Sequence, residues 1–124
     1  MKRRYRPTGP STDVVEALYE RAGWSCEVCT AAVGPRRGVD HHVHHRRPRG
    51  AGGTRRTDTN DISNLLLLDP SCHAMVESER DGAYGGGWLV RQSADPATER
   101  VLIAGKWWVL LTPEGGYKTL EPAR

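Results

Sequence analysis

The chain has 124 residues, 18 Lys and Arg against 15 Asp and Glu, a net charge of +3 and no Phe. That length suits one domain with a modest core, of the kind that often recruits a metal or a disulfide for support. No apolar run is long enough to span a bilayer and no signal peptide is visible, so no membrane association and a reducing cytoplasmic setting are expected. An odd count of three cysteines, two of them spaced as "CEVC", argues against a disulfide framework and for a metal knuckle.

Residues 1–10 read as a basic N-terminal arm carrying Lys2, Arg3, Arg4 and Arg6. Ser11 and Thr12 are helix caps, Asp13 and Glu16 favour the positive end of a helix, and Val14, Val15, Leu18 and Ala22 recur at helical spacing until Gly23 stops it. The segment "GWSCEVC" then forms a tight knuckle, followed by a loop over residues 30–38. Residues 39–47 are a strand candidate, and a long Gly/Arg/Thr loop runs on to about Asp61. A second strand is expected over 62–68. Asp69-Pro70 is a strong helix start, because Asp can cap and Pro is tolerated at the first helical position; that helix runs to about Glu79. Beyond "DGAYGGG", the stretches "WLVRQ", "RVLIA" and "KWWVLL" read as short strands, with Ala104-Gly105 as a tight turn.

Charge is concentrated rather than spread. Between Pro35 and Thr57 stand Arg36, Arg37, Arg46, Arg47, Arg49, Arg55 and Arg56 against Asp40 alone. Arginine among glycines suits phosphate contacts, and equally suits a solvated loop.

The chemistry-bearing residues fall into two sets. Cys26 and Cys29 can take two corners of a zinc tetrahedron. The natural second half would be another CxxC at the head of the later helix, but that half reads "DPSC", Asp69 to Cys72. Asp69 can be a ligand, a helix cap, or a cap through one oxygen and a ligand through the other; His41 or His42 is the competing fourth donor. The second set is the histidines. Four of five lie in "DHHVHH" and the fifth, His73, directly follows Cys72. Neighbouring helix residues point about 100° apart, so Cys72 can face the knuckle while His73 faces the His-rich strand. Asn64 alone is an ordinary turn residue.

Together "CEVC", "HHRRPRGAGG", "SNLLLL" and "SCHAMVE", in that order, resemble the HNH endonucleases, and especially the small bacteriophage-type members with a cysteine-based zinc site. The resemblance covers roughly residues 12 to 111. It implies an α+β fold: a ββα-metal HNH core over residues 11–82 with a zinc knuckle and an N-terminal helix, and a small C-terminal β-meander over 83–124 packed on the core. It implies a metal-dependent DNA endonuclease of low sequence specificity, with His45 as general base and Asn64 pinning the loop that holds it. His44 and His73 would bind the catalytic divalent cation (Mg²⁺, Mn²⁺, Ni²⁺ or Co²⁺), with Glu77, four residues along the same helix face, as a possible third ligand. Cys26, Cys29, Asp69 and Cys72 would hold structural Zn²⁺, and Arg46, Arg47, Arg49, Arg55 and Arg56 would grip the DNA backbone. Only the later histidine pair runs into "RRPRG" at the strand end, which favours His44–His45 over His41–His42. The partners implied are DNA and phage packaging or recombination proteins, for a monomer or dimer. The competing expectation is a zinc-stabilised DNA-binding or phage-assembly module that has lost catalysis, which the Asp69 departure favours and the retained histidines oppose.

Overall fold

The computed structural model describes residues 9–33, 42–48 and 58–124; the side chain of His42 is not among what it describes. The basic arm over residues 1–8, Arg36, Arg37, Asp40, His41, Arg49, Arg55 and Arg56 therefore lie outside the described residues.

Helix α1 spans Thr12–Ala22. Ser11 Oγ accepts from Val14 N–H at 3.3 Å, supplying one partner for the unpaired first-turn donors. At the other end Gly23 takes the left-handed conformation, φ 64°, and its N–H and that of Trp24 return to the Glu20 and Tyr19 carbonyls. The knuckle follows, closed by a bridge between Ser25 and Ala32.

Strand β1, His42–His45, pairs antiparallel with β2, Leu65–Leu68, in a register that sets His44 opposite Leu66 and His45 opposite Leu65. The strand expected over 62–68 begins later, because Ile62–Asn64 form a 3-10 turn before the chain extends. All four leucines of β2 are fully buried. Both α1 and α2, Pro70–Ser78, pack against this hairpin, so β2 is apolar on both faces and shows no alternation. Leu18, Val76 and the leucines form the centre of one core shared with Val101, Val109 and Leu111 from the C-terminal segment.

That C-terminal segment differs from expectation in its parts. Arg80–Gly86 form helix α3, which crosses the boundary expected after residue 82. Residues 88–90 are buried or half-buried but form no strand. The meander is β3 (Val101–Ile103), β4 (Trp107–Leu111) and β5 (Tyr117–Pro122), in the order β3-β4-β5. β5 was not anticipated, because "YKTLEP" is polar, ends in Pro and is exposed along its length, as an edge strand is. Ala104-Gly105 do make the β3–β4 turn: Lys106 N–H returns to the Ile103 carbonyl, and both residues have positive φ, 57° and 67°, as the central pair of a type I′ turn.

Glycines explain why "GGGW" reads as it does. A Cβ on Gly87 (φ 77°) would meet the Arg100 carbonyl oxygen at 2.0 Å, and one on Gly86 would meet the Trp88 indole at 2.8 Å. Main chain and ring approach too closely for any side chain.

Candidate metal centre and nuclease site

Two groups of donors flank the start of α2. In the first, one sulfur each from Cys26, Cys29 and Cys72 and a carboxylate oxygen of Asp69 all lie within 4.8 Å of one another. The knuckle brings Cys26 and Cys29 to the head of α2 because Cys26 N–H donates to the Ala31 carbonyl and Thr30 N–H to the Cys26 carbonyl, folding the CxxC back on itself. Asp69 divides its oxygens. Oδ1 caps α2 by accepting from Cys72 N–H at 2.8 Å, and Oδ2 accepts from the Cys29 thiol at 3.5 Å. Burial would raise the Asp69 pKa, but the bonds from Cys72 N–H and the neighbouring thiols outweigh it and lower it. Burial and the crowding of neighbouring donors push the Cys72 and Cys29 thiols up. Three thiols packed beside a carboxylate, none in a disulfide, suit a divalent cation that would offset the charge of thiolates. The cluster could hold a structural zinc.

The residue between the cysteines is the one that sequence reasoning passed over. Glu27 is 3% exposed and receives Arg21 Nε and Nη2 at 3.0 and 2.9 Å, Leu67 N–H at 2.8 Å and the Tyr117 hydroxyl at 2.5 Å. Its main chain donates to Leu67 O and accepts from Ala104 N–H. Arg21 completes the tie by donating to the Ile62 and Leu65 carbonyls. One carboxylate thus joins α1, the knuckle, β2 and β5. An acid inside a CxxC, with an arginine on the preceding helix, was the available signal.

The second group is His44 from β1 with His73 and Glu77 from α2; one donor atom from each lies within the same 4.8 Å limit. The His44 and His73 rings meet edge to face with centroids 5.7 Å apart, and Glu77 Oε1 stands 3.8 Å from His73 Nε2. His44 is 4% exposed, whereas His73 is half-buried and Glu77 exposed, so this group is open on one side. His44 Nε2 lies 2.6 Å from the Trp88 carbonyl oxygen. A carbonyl only accepts, so Nε2 carries the proton and the ring's lone pair is left on Nδ1. Burial holds the His44 pKa down to about 4 despite that bond, and the His73 ring acts in the same direction, so the ring is neutral and able to ligate. Two imidazoles and one carboxylate are a donor set suited to a transition-metal dication.

His45, next in β1, is half-buried, and its Nε2 lies 2.8 Å from Asn60 Oδ1. Asn64 is fully buried, where Oδ1 accepts from Arg47 N–H at 2.7 Å and Nδ2 donates to the Thr59 and Arg47 carbonyls. It fastens the chain just after β1 to the turn that presents Asn60. Asn60 itself was read only as part of a loop, and Trp88 only as part of a strand.

Two of the arginines expected on DNA do not face solvent. Arg46 is fully buried and donates to the Gly87, Ser63, Pro96 and Glu99 carbonyls. Burial lowers its pKa to about 10. Arg47 is 4% exposed, donates to the Ala94 carbonyl at 2.8 Å and pairs with Asp58 at 2.7 Å. Their guanidinium groups are committed inside the protein, which corrects the expectation that they grip phosphate; Arg49, Arg55 and Arg56 lie outside the described residues.

No helix among the described residues is long and apolar enough to cross a membrane. Comparison with curated proteins and with solved structures found no match. The family model described as HNH endonuclease matches residues 26–79, a span that contains both donor groups, His45, Asn60 and Asn64. That match runs from the CxxC knuckle to the end of α2, less than half of the chain, and over this stretch the chain is similar to the HNH endonucleases.

Proposed function

We propose that this protein is a metal-dependent DNA endonuclease that hydrolyses phosphodiester bonds with low sequence specificity. The observation that carries the reading is the convergence of His44, His73 and Glu77 beside His45, within the HNH match.

His44 and His73 hold the catalytic cation, with Glu77 as an outer carboxylate, and Cys26, Cys29, Asp69 and Cys72 hold structural zinc. When bound, the catalytic cation neutralises the charge that develops on the phosphate and the departing oxygen. His45 is the general base. The Asn60 side chain accepts its Nε2–H, which leaves Nδ1 to take a proton from the attacking water. Asn64 keeps this arrangement in register by joining the end of β1 to the 59–60 turn. Arg49, Arg55 and Arg56, which fall in sequence between β1 and that turn, supply the phosphate contacts, so binding is salt-sensitive and not base-specific. Three free thiols accord with a reducing cytoplasmic setting.

The test is supercoiled plasmid incubated with zinc-loaded protein. Open circles should accumulate with Mn²⁺ or Mg²⁺ and not in their absence. DNA binding with no cleavage under Mg²⁺, Mn²⁺, Ni²⁺ or Co²⁺ would establish the inactive binding module instead.

A further inference from the structure

Arg46 sits in the core as a full cation whose described hydrogen-bond acceptors are main-chain carbonyls. A buried charge without a tight counterion is costly, and an apolar side chain of similar length would fill the same space more cheaply. Its placement explains the retention. Arg46 Nε donates to Gly87 O at 2.8 Å, and the Arg46 carbonyl accepts from Val90 N–H at 2.7 Å. One residue therefore grips the segment 87–90 at both ends. Between those two points lies the Trp88 carbonyl, 2.6 Å from His44 Nε2. Arg46 is two residues after His44, so the chain that leaves the strand presenting the imidazole also carries the group that positions its acceptor. The segment also tolerates little freedom elsewhere: Gly87 is pressed on the Arg100 carbonyl, and Trp88 Nε1 donates to Leu102 O at 2.9 Å.

We propose that Arg46 is a positioning residue for the cation site: by clamping residues 87–90 it aims the Trp88 carbonyl at His44, fixes the Nε2–H tautomer and presents Nδ1 as the ligand. The site is then completed by a strap that lies beyond residues 26–79, the span of the HNH match. This rests on the reading of His44 as a cation ligand.

The experiment uses the full, zinc-loaded chain and no DNA. Nitrogen-15 NMR of the His44 ring reports the tautomer, and Mn²⁺ binding is followed by broadening of the His73 ring signals. The wild type should show Nε2 protonated and Nδ1 bare. Arg46→Lys keeps the charge but loses the fork; it should give mixed tautomers and bind Mn²⁺ about 10–100-fold more weakly, the usual cost of losing an outer-shell partner. A wild-type ring protonated at Nδ1 overturns the proposal, even where Arg46→Lys fails to fold. So does a folded Arg46→Lys with unchanged tautomer and Mn²⁺ affinity, which is what a merely structural arginine gives. A wild type with the stated tautomer but no Mn²⁺ response contradicts instead the cation reading itself, and with it the purpose assigned to Arg46.

Discussion

Helix α2 serves two donor groups that differ in almost every physical respect. Cys72 and His73 are adjacent, so the helix directs one toward the knuckle and the other toward β1. The cysteine group is sulfur-rich, backed by the buried Glu27–Arg21 pair and placed at a helix cap. The histidine group has nitrogen and oxygen donors, with one buried and oriented member, His44, and two members toward solvent. A four-donor, thiol-rich set is suited to holding a fold together. An open set with a rigid anchor and exposed partners is suited to a cation that also meets a substrate. On the proposed reading, a single short helix would separate stability from chemistry by one residue of rotation.

Removing the metal from the cysteine group should have the largest effect. Structural zinc contributes roughly 10–16 kcal/mol of apparent binding free energy in zinc-finger peptides, more than a small domain's whole stability. Chelation followed by circular dichroism and elemental analysis should show loss of about one zinc per chain together with loss of tertiary structure. Retention of the fold without metal would collapse the distinction drawn above. Glu27→Gln comes next. It breaks a buried ion pair at side-chain exposures of 1% and 0%, and should cost about 3–5 kcal/mol in denaturant unfolding. A change of a few tenths would mean that the knuckle stands without its carboxylate anchor.

Asp69→Asn isolates the divided carboxylate. The amide oxygen still caps α2, so the helix start is kept, whereas zinc is released at lower chelator concentration. Asp69→Ala should add about 1 kcal/mol for the lost cap. Zinc retention unchanged in Asp69→Asn, with an effect in Asp69→Ala alone, would mean that Asp69 is a cap and nothing more. The smallest effect is expected at Glu77, which is exposed: Glu77→Gln should weaken Mn²⁺ binding by no more than about tenfold, or about 1.4 kcal/mol. It should leave the unfolding curve within about 0.5 kcal/mol of the wild type. A large loss of stability there would show that the histidine group, too, is structural.

Features encoded by neighbouring residues were legible in the sequence. Ser11 and Gly23 bound α1, Asp69-Pro70 opens α2, and Ala104-Gly105 turn the chain, because each depends on local geometry alone. The two donor groups were legible in composition and order, since metal ligands need particular residue types at particular spacings. What escaped reading depends on contacts between distant segments. Arg46 looks like any loop arginine until carbonyls up to 53 residues away converge on it. Helix α3 is glycine-rich and forms where Gly86 admits the Trp88 ring and Gly87 the Arg100 carbonyl, a tertiary override of poor propensity. β5 has no alternation to display, because it is exposed throughout as an edge strand. Glu27 was visible as a letter, but its value lies in four groups drawn from α1, β2 and β5.

The central claim is that His45 does chemistry beside a cation it does not bind. Plasmid nicking by wild type and His45→Ala, both zinc-loaded and both shown to bind Mn²⁺, tests it most directly. The variant should lose about 100-fold or more in nicking rate, the contribution of a positioned general base, while its Mn²⁺ affinity and zinc content stay those of the wild type. Nicking that survives the substitution, or that vanishes only because Mn²⁺ no longer binds, would contradict the division of labour between His45 and the His44–His73–Glu77 group.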